Sequence, residues 1–172
     1  MLYLHPTLGN TDLSLLHLDL ELPPTPVQLA DIADHVADAA GRWRPILRHD
    51  PFQRWYTRLL GTDRLEVWLL GWTPGQQVPA HDHGGAAGAF TVVDGALVED
   101  HLDPDTWTSR RRTTFPAGSR THFGPDHAHI LGNRGIQPAT SVHAYSPPGL
   151  PLRFRSARVS GHSAAATAEA TR

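Results

Sequence analysis

Cysteine and lysine are both missing from this sequence, and neither sign of charge dominates. Without cysteine the chain cannot form disulfides, thiolate-ligated zinc sites or iron–sulfur clusters, and it has no thiol nucleophile. Fifteen basic residues, all arginine, stand against 17 acidic ones and give a net charge of −2, which provides no positive field for a polyanion. We therefore expect no nucleic-acid partner.

Long apolar runs are missing as well. No stretch approaches the roughly 20 apolar residues that span a bilayer. His17 and Asp19 interrupt the first twenty residues, which therefore do not resemble a secretion signal. These absences favour a cytoplasmic protein without membrane contact. Residues 1–172 are expected to form one monomeric domain, since a chain of this length can bury its own hydrophobic core.

The first 53 residues are predicted to form an N-terminal helical segment. Thr25 is a candidate N-cap with Pro26 at the first helical position. Apolar residues then recur at alternating spacings of three and four over residues 29–40, which is typical of an amphipathic helix. A second, shorter helix is predicted at Arg44–His49.

Beyond residue 53 the pattern changes to short segments rich in Val, Leu, Trp, Thr and Phe, separated by Gly, Pro and Asp. Ten strands are predicted, at residues 54–60, 64–72, 76–82, 88–93, 96–101, 107–114, 119–123, 127–131, 139–145 and 151–155. Because no helices alternate with these strands, the pattern predicts a mainly β, antiparallel barrel or sandwich over residues 54–156. Residues 157–172, rich in Ala, Ser and Thr, are expected to be a flexible tail.

Histidine is unusually frequent, at 12 of 172 residues, and two His-x-His pairs lie in predicted strands. The side chains of His81 and His83 share one face of their strand, because alternate residues of a strand point the same way. His127 and His129 form the second pair. Two convergent imidazoles can bind one metal ion, but a single pair is a weak signal, because surface histidines fall into this spacing by accident.

The spacing of glycines around these pairs strengthens the metal interpretation. The matching residues are Gly75, His81, His83, Gly88 and Gly95 in the first segment, and His129 and Asn133 in the second. This arrangement resembles the two motifs of the cupin superfamily, and the resemblance implies a small antiparallel cupin (jelly-roll) β-barrel with a metal held by His81, His83 and His129. His127 stays open as an alternative, because the lead-in to the second motif is degenerate. We favour His129, since only it has Asn at the fourth position after it.

Gly88 stands where most cupins carry a metal-binding Glu. The metal would therefore be held by three neutral imidazoles, with no protein carboxylate to cancel its charge. An Fe(II) ion in such a site keeps its double positive charge and up to three open positions, and it favours an anionic ligand together with O2. A thiolate is the soft anionic ligand that fits this description.

Four segments of the chain resemble one particular family within the cupins. They are Tyr56-Thr57-Arg58, His81 to Gly85, Gly88 to Phe90, and Ser141 to Pro148. In this order they resemble the cysteine dioxygenase family of thiol dioxygenases. The resemblance implies an Fe(II) enzyme that adds both atoms of O2 to the sulfur of L-cysteine and forms a sulfinate. It also implies a cis peptide at Ser146-Pro147.

The resemblance assigns roles to residues that alternate on two predicted strands. Ser141, His143 and Tyr145 share one strand face and can form a row of hydrogen bonds; the resemblance implies that the Tyr145 hydroxyl lies near the substrate and O2. Tyr56 and Arg58 share a face of an earlier strand, and the resemblance implies that both bind the substrate, with the Arg58 guanidinium on its carboxylate. The tyrosine–cysteine crosslink of eukaryotic members is impossible in a chain without cysteine.

Three alternative functions stay open at this point. The first is a dioxygenase for another small thiol acid such as 3-mercaptopropionate. The second is a three-His zinc hydrolase, because Zn²⁺ with three His ligands and a water forms a working hydrolytic site. The third is a non-catalytic cupin that binds a ligand. If Arg58 does not bind the carboxylate, Arg153 and Arg155 are the next candidates.

Overall fold

Two antiparallel sheets face each other in the computed structural model, which describes residues 2–9 and 22–155. The helices of this part of the chain are α1 (Pro26–Asp38) and α2 (Ala40–Trp43). Its strands are β1 (Tyr3–Leu4), β2 (Trp55–Gly61), β3 (Glu66–Trp72), β4 (Gln77–Asp82), β5 (Ala87–Asp94), β6 (Ala96–Leu102), β7 (Ser109–Pro116), β8 (Arg120–Phe123), β9 (Ala128–Gly132), β10 (Ala139–Ser146) and β11 (Arg153–Phe154).

The start of α1 follows the sequence prediction. The Thr25 hydroxyl accepts a hydrogen bond from the Gln28 backbone N–H at 3.3 Å, and the Gln28 side chain accepts one from the Thr25 N–H at 2.9 Å. This reciprocal pair is a capping box, which satisfies two N–H groups that a helix start otherwise leaves open. The helix ends at Asp38, two residues earlier than predicted.

The predicted helix at 44–49 is not formed. Instead, α2 ends at Trp43 and a single 3₁₀ turn covers Arg44–Ile46. Pro45 lies inside that turn and has no N–H to donate, so an α-helix cannot continue through it with its hydrogen bonds intact. Residues 47–50 have no regular secondary structure.

The six-stranded sheet has the order β1-β2-β3-β10-β5-β8, and the five-stranded sheet has the order β11-β4-β9-β6-β7. All ten predicted strands are present, which confirms the mainly β, antiparallel architecture. The structure adds β1, which pairs with β2 and was not predicted because two residues are too few to show a period. The last predicted strand is reduced to the two residues of β11.

Two apolar cores follow from the alternation of side chains in the six-stranded sheet. One core lies between α1 and the outer face of this sheet, and its members include Leu29, Ile32, Val36, Leu69, Val142 and Ala144. The other lies between the two sheets, and its members include Trp72, Phe90, Val92, Leu97 and Leu131. Residues that alternate with Val142 and Ala144 on β10 therefore face the interior between the sheets, where the candidate site lies.

Helices of the described residues are all too short or too polar to cross a membrane. Residues 157–172, for which a flexible tail was expected, lie outside the described residues.

Candidate active site

Three buried histidines converge at one end of the five-stranded sheet. His81 on β4 lies directly opposite His129 on β9, and directly paired residues of antiparallel strands project from the same face. His83 follows the end of β4, just before Gly84 and Gly85 turn the chain at positive φ. The Nε2 atoms of His81 and His129 are 3.1 Å apart, and each of the three residues has a ring nitrogen within 4.8 Å of those of the other two.

Hydrogen bonds fix which ring nitrogen carries the proton in two of these histidines. The Nδ1 of His81 lies 2.7 Å from the carbonyl oxygen of Pro79, and the Nδ1 of His129 lies 2.7 Å from a carboxylate oxygen of Glu99. Both acceptors are oxygens, so both Nδ1 atoms donate and both Nε2 atoms present lone pairs. Burial lowers the pKa of both histidines, and the neighbouring His129 lowers that of His81 further, which keeps the two rings neutral.

Two lone pairs that face each other at 3.1 Å repel unless a cation lies between them. Neutral imidazole nitrogens are ligands that Fe, Zn, Cu and Ni ions accept. The set of His81, His83 and His129 therefore fits a divalent metal ion.

His127, the alternative third ligand, lies next to this group but is not part of it. Its Nε2 is 2.9 Å from Glu99, and its ring stacks between Phe123 at 4.4 Å and His101 at 4.9 Å, measured between ring centroids. The structure thus brings His129, rather than His127, to the pair formed by the first motif.

The carboxylate near the metal ligands was missed by sequence reasoning. Glu99 on β6 is 3% exposed and accepts a hydrogen bond from His129. The three ligands include no carboxylate, as expected. The wider expectation that no protein carboxylate would balance the metal charge is wrong, because Glu99 lies behind His129. Glu99 carries no motif, and only the register of β6 against β9 brings it to His129.

Gly88 matches the expectation of a site with no carboxylate ligand at this position. A Cβ added to Gly88 would lie 2.6 Å from the Phe123 ring and 2.8 Å from the Tyr145 ring, both closer than real Cβ contacts. Neither the glutamate of most cupins nor the crosslinking cysteine of eukaryotic relatives fits here without displacing an aromatic ring.

The predicted row on β10 is present as a chain of four side chains. The indole N–H of Trp72 donates to the Ser141 hydroxyl at 2.9 Å, the hydroxyl lies 2.8 Å from His143 Nε2, and His143 Nδ1 lies 3.1 Å from the Tyr145 hydroxyl. An indole can only donate, so the Ser141 hydrogen goes to His143 Nε2, and the Nδ1–H of His143 goes to the Tyr145 oxygen. This direction leaves the Tyr145 hydroxyl hydrogen turned away from His143.

Burial lowers the pKa of His143 to about 3, and the proximity of His129 and Arg54 contributes to the shift. The ring is therefore neutral at physiological pH and keeps a single proton. With one proton, the ring can accept from Ser141 and donate to Tyr145 at the same time, which holds the row in one direction.

A small cavity adjoins Tyr145, whose ring lies against the histidine group. Its volume is about 60 Å³, and it is lined by Arg54, Tyr56, Trp68, Leu70, Tyr145 and Leu152. The Tyr145 ring connects the cavity to the metal ligands, since it stacks on His83 with ring centroids 5.2 Å apart. A cavity of this size takes a molecule of only a few heavy atoms, about the room of a few waters.

Arg54, not Arg58, lines this cavity. The Arg58 side chain is exposed and lies over the ring of Tyr3, 4.5 Å from its centroid. The geometry therefore does not favour the prediction that Arg58 binds the substrate carboxylate, whereas Tyr56, the other residue predicted to bind substrate, lines the cavity. Arg54, Tyr56 and Arg58 alternate along the same chain segment, so the pattern that singled out Arg58 also contained Arg54.

The Arg54 guanidinium lies between aromatic rings, 5.3 Å from the centroid of Trp72 and 5.8 Å from that of Tyr56. Its Nε is buried and has no hydrogen-bond partner among the described residues. Burial lowers the pKa of Arg54, but an arginine stays charged at any physiological pH. The cavity thus contains a fixed positive charge, and the Nε–H of this guanidinium donates to none of the described residues.

The other two arginines that the sequence offered are engaged elsewhere. Arg153 donates to the Asp82 carboxylate at 2.7 Å, and Arg155 donates to the Trp107 carbonyl at 3.3 Å. Between β10 and these residues, the Ser146-Pro147 peptide is cis, as the family resemblance implied.

Solved structures with a similar fold confirm the cupin, or double-stranded β-helix, architecture. A Klebsiella pneumoniae protein with a double-stranded β-helix domain matches with a TM-score of 0.56 and 19% identity, over 66% of this chain and 94% of that one. A Thermus thermophilus protein matches with a TM-score of 0.53 and 17% identity, over 60% and 92% of the two chains. Oxalate oxidase in complex with glycolate has a TM-score of 0.51 and 20% identity, over 61% of this chain and 56% of that chain.

Sequence families give a more specific result than these structures. A search of curated proteins found no significant match. The family model for cysteine dioxygenase type I, however, matches residues 27–155, which include all but the first residue of α1, the three histidines and the β10 row. This match covers well over half of the chain, and the chain therefore belongs to the cysteine dioxygenase type I family.

Proposed function

We propose that the protein is an Fe(II)-dependent thiol dioxygenase that converts L-cysteine and O2 to cysteine sulfinate. The single observation that carries this proposal is the three-imidazole group of His81, His83 and His129 close to a small cavity with one partly buried guanidinium. In the overall reaction a thiolate and O2 give a sulfinate. Two S–O bonds form and the O–O bond breaks, and the sulfur supplies all four electrons, so that no external reductant is required.

The ligand set supports iron of this kind. When bound by the three histidines, Fe(II) supplies the activation of O2 toward a thiolate, which no side chain of this protein can supply. The role of the protein is to keep three neutral imidazoles pointing at one place, and the hydrogen bonds of His81 and His129 do this through their Nδ1 atoms. The ligands themselves contribute no negative charge, which favours an anionic substrate.

Arg54 is the proposed partner of the substrate carboxylate. It is the charged residue of the cavity lining, and its surroundings are otherwise aromatic and aliphatic. An ion pair there is screened less than at the surface, and a guanidinium binds a carboxylate through two parallel hydrogen bonds. Among the described residues that line the cavity, there is no carboxylate to pair with an α-ammonium group.

Tyr145 is the proposed hydrogen-bond donor to the reacting atoms. Its ring lies against His83 and its side chain lines the cavity. A substrate bound in the cavity near the three histidines would therefore contact Tyr145. His143 donates to the phenol oxygen, so the phenol hydrogen points away from His143, and its proposed role is to stabilise negative charge that develops on oxygen. Ser141 and Trp72 keep His143 in the tautomer that this direction requires.

The alternatives from other classes have less support. A zinc hydrolase needs a general acid or base beside the bound water. Among the described residues that line the cavity, none is a carboxylate or a histidine, and the neutral phenol of Tyr145 is a poor base for a bound water. A non-catalytic binding role would not require a directed row that ends in a phenol. Oxidation of 3-mercaptopropionate uses the same groups without the amine, so only a comparison of the two thiols separates it from the proposed substrate.

The test is to reconstitute the metal-free protein with one equivalent of Fe(II) or Zn(II) and to record O2 uptake on addition of L-cysteine. We expect uptake only with Fe(II), with one sulfinate formed for each O2 consumed. Activity with Zn(II), or an iron-loaded protein that takes up no O2 with L-cysteine, would contradict the proposal. A higher kcat/KM for 3-mercaptopropionate than for L-cysteine would identify a different thiol as the preferred substrate, while the proposed dioxygenase reaction would stay the same.

A further inference from the structure

Glu99 is a buried carboxylate whose role is not explained by the reaction described above. It lies on β6, where its neighbour His101 is paired with His129 of β9. A single oxygen of Glu99 accepts two hydrogen bonds, from His129 Nδ1 at 2.7 Å and from His127 Nε2 at 2.9 Å. The side chain thus connects directly to a metal ligand through a short hydrogen bond.

Glu99 Oε1 is placed to accept from both histidines. Each of the two ring nitrogens lies within 2.9 Å of this one oxygen, and a protonated carboxyl oxygen could donate to only one of them. A carboxylate can only accept hydrogen bonds, so His129 must carry its proton on Nδ1 and direct the lone pair of Nε2 toward His81. The buried carboxylate therefore determines the tautomer of His129.

We infer that Glu99 is a positioning residue of the metal centre, which orients His129 and places one negative charge behind a set of three neutral ligands. The inference rests on the metal site of the proposed function and adds a group outside the ligand set. A carboxylate that accepts from a metal-bound imidazole makes that imidazole more basic and fixes its orientation. His127 has the supporting role of holding Glu99 from the other side.

The same three residues could instead form a second metal site, since Glu99, His127 and His129 also converge. Their contacts favour hydrogen bonds over coordination. His129 would have to lose its Nδ1 proton to ligate a second ion through that atom, and the 2.7 Å between this nitrogen and Glu99 is an ordinary hydrogen-bond length. The number of metal ions bound per chain distinguishes the two arrangements.

The experiment compares metal binding by the full-length protein and its E99Q variant, with Co(II) and, without oxygen, Fe(II). Glutamine keeps the size of the side chain and one acceptor oxygen but removes the charge. We expect one ion per chain in both proteins, with affinity for each metal lower by about 10- to 100-fold in E99Q. The midpoint potential of bound iron should shift to a more positive value in E99Q, because loss of a nearby negative charge favours Fe(II) over Fe(III).

Asp100→Asn is the matched control. Asp100 is the next residue on β6, is also buried, and pairs with Arg112 and Arg134 rather than with the histidines. This variant should lose stability but keep the metal affinity and the potential of the wild type. If E99Q does not fold, His127→Phe replaces it, since Phe keeps the stacked ring and removes the second hydrogen bond to Glu99; weaker metal binding is again expected.

Wild-type affinity and potential in a folded E99Q protein would overturn the inference. Wild-type affinity in His127→Phe would do so if E99Q cannot be measured. Two bound ions per wild-type chain, one of them lost in E99Q, would also overturn it in favour of a second metal site. None of these readouts uses a thiol, so a protein that binds iron as expected but oxidises no thiol would refute the proposed function and leave the role of Glu99 intact.

Discussion

Replacing Arg54 by glutamine is expected to lower kcat/KM for L-cysteine strongly, because it removes the fixed positive charge of the cavity. Arg54 lines the cavity between Trp72 and Tyr56 and has donor capacity unused by the described residues. A hydrogen bond between charged groups contributes about 1.5–3 kcal/mol. Since each 1.36 kcal/mol corresponds to a factor of ten, this loss is roughly 10- to 150-fold in kcat/KM.

Arg58→Gln is the matched control for this prediction. Arg58 is exposed and contacts the ring of Tyr3, a type of interaction that contributes about 0.5–1 kcal/mol at exposed sites. That energy affects stability rather than turnover, so kcat/KM for L-cysteine should stay within about twofold of the wild type. The pair of variants therefore separates the cavity arginine from the one that the sequence motif favoured.

The assay records O2 uptake and sulfinate together for three thiols: L-cysteine, 3-mercaptopropionate and cysteamine, which has no carboxylate. Arg54→Gln should weaken the reaction of the first two thiols and change that of cysteamine little. The reasoning is refuted if Arg58→Gln gives the large loss and Arg54→Gln does not. It is equally refuted if Arg54→Gln weakens all three thiols by the same factor, because the effect would then be independent of the carboxylate.

Three other predictions concern the β10 row and its surroundings. Tyr145→Phe should keep iron and fold but slow turnover about a hundredfold or more, because one hydrogen bond to developing charge is lost; wild-type kcat in steady-state assays would reduce Tyr145 to a packing role. Gly88→Ala should lower the free energy of unfolding by about 1–3 kcal/mol in denaturant titrations, since the new methyl group meets the rings of Phe123 and Tyr145; an unchanged stability would mean that these rings move freely. The metal-free protein should lose stability as the pH falls below about 6.5, because the pKa of His143 is about 3 in the folded chain and the unfolded chain takes up the proton first. Between pH 7 and pH 5, protonation of this histidine should lower the free energy of unfolding by about 2 kcal/mol. The prediction is wrong if metal-free His143→Gln protein loses as much stability over this pH range as the metal-free wild type.

Local sequence patterns predicted most of the fold. The Thr25 cap, the apolar period of α1 and the ten β-rich segments each act over a few neighbouring residues, so they can be recognised without knowledge of the tertiary structure. The errors come from interactions of another kind. Pro45 prevents a helix that the surrounding residues would allow, and β1 exists only because β2 offers it an edge.

Site residues could be predicted where they alternate along one strand, because the sequence shows that spacing. They could not be predicted where their contact depends on how two distant strands pair. His81, His83 and His129 follow from motif spacing. Glu99 does not, because its contact with His129 depends on the pairing of β6 with β9, 30 positions away along the chain. Glu99 also has no neighbouring residue in sequence that would mark it as part of a metal centre.

Arg54 illustrates a third limit. Family resemblance pointed to Arg58, and strand alternation places Arg54 and Arg58 on similar sides of the chain. The Arg58 side chain lies instead over the ring of Tyr3 on β1. This contact depends on the pairing of β1 with β2 and leaves no signal in the residues around Arg58.

The fate of the oxygen atoms tests the central claim most directly. The iron-loaded protein is given L-cysteine under ¹⁸O2 in ordinary water, and the product is analysed by mass spectrometry. The account predicts a sulfinate that carries two ¹⁸O atoms, formed in equal amount to the O2 consumed, and no product in a His129→Ala protein that has lost its iron. Sulfinate that carries oxygen from water, or cystine as the main product, would contradict a dioxygenase reaction at this three-histidine site.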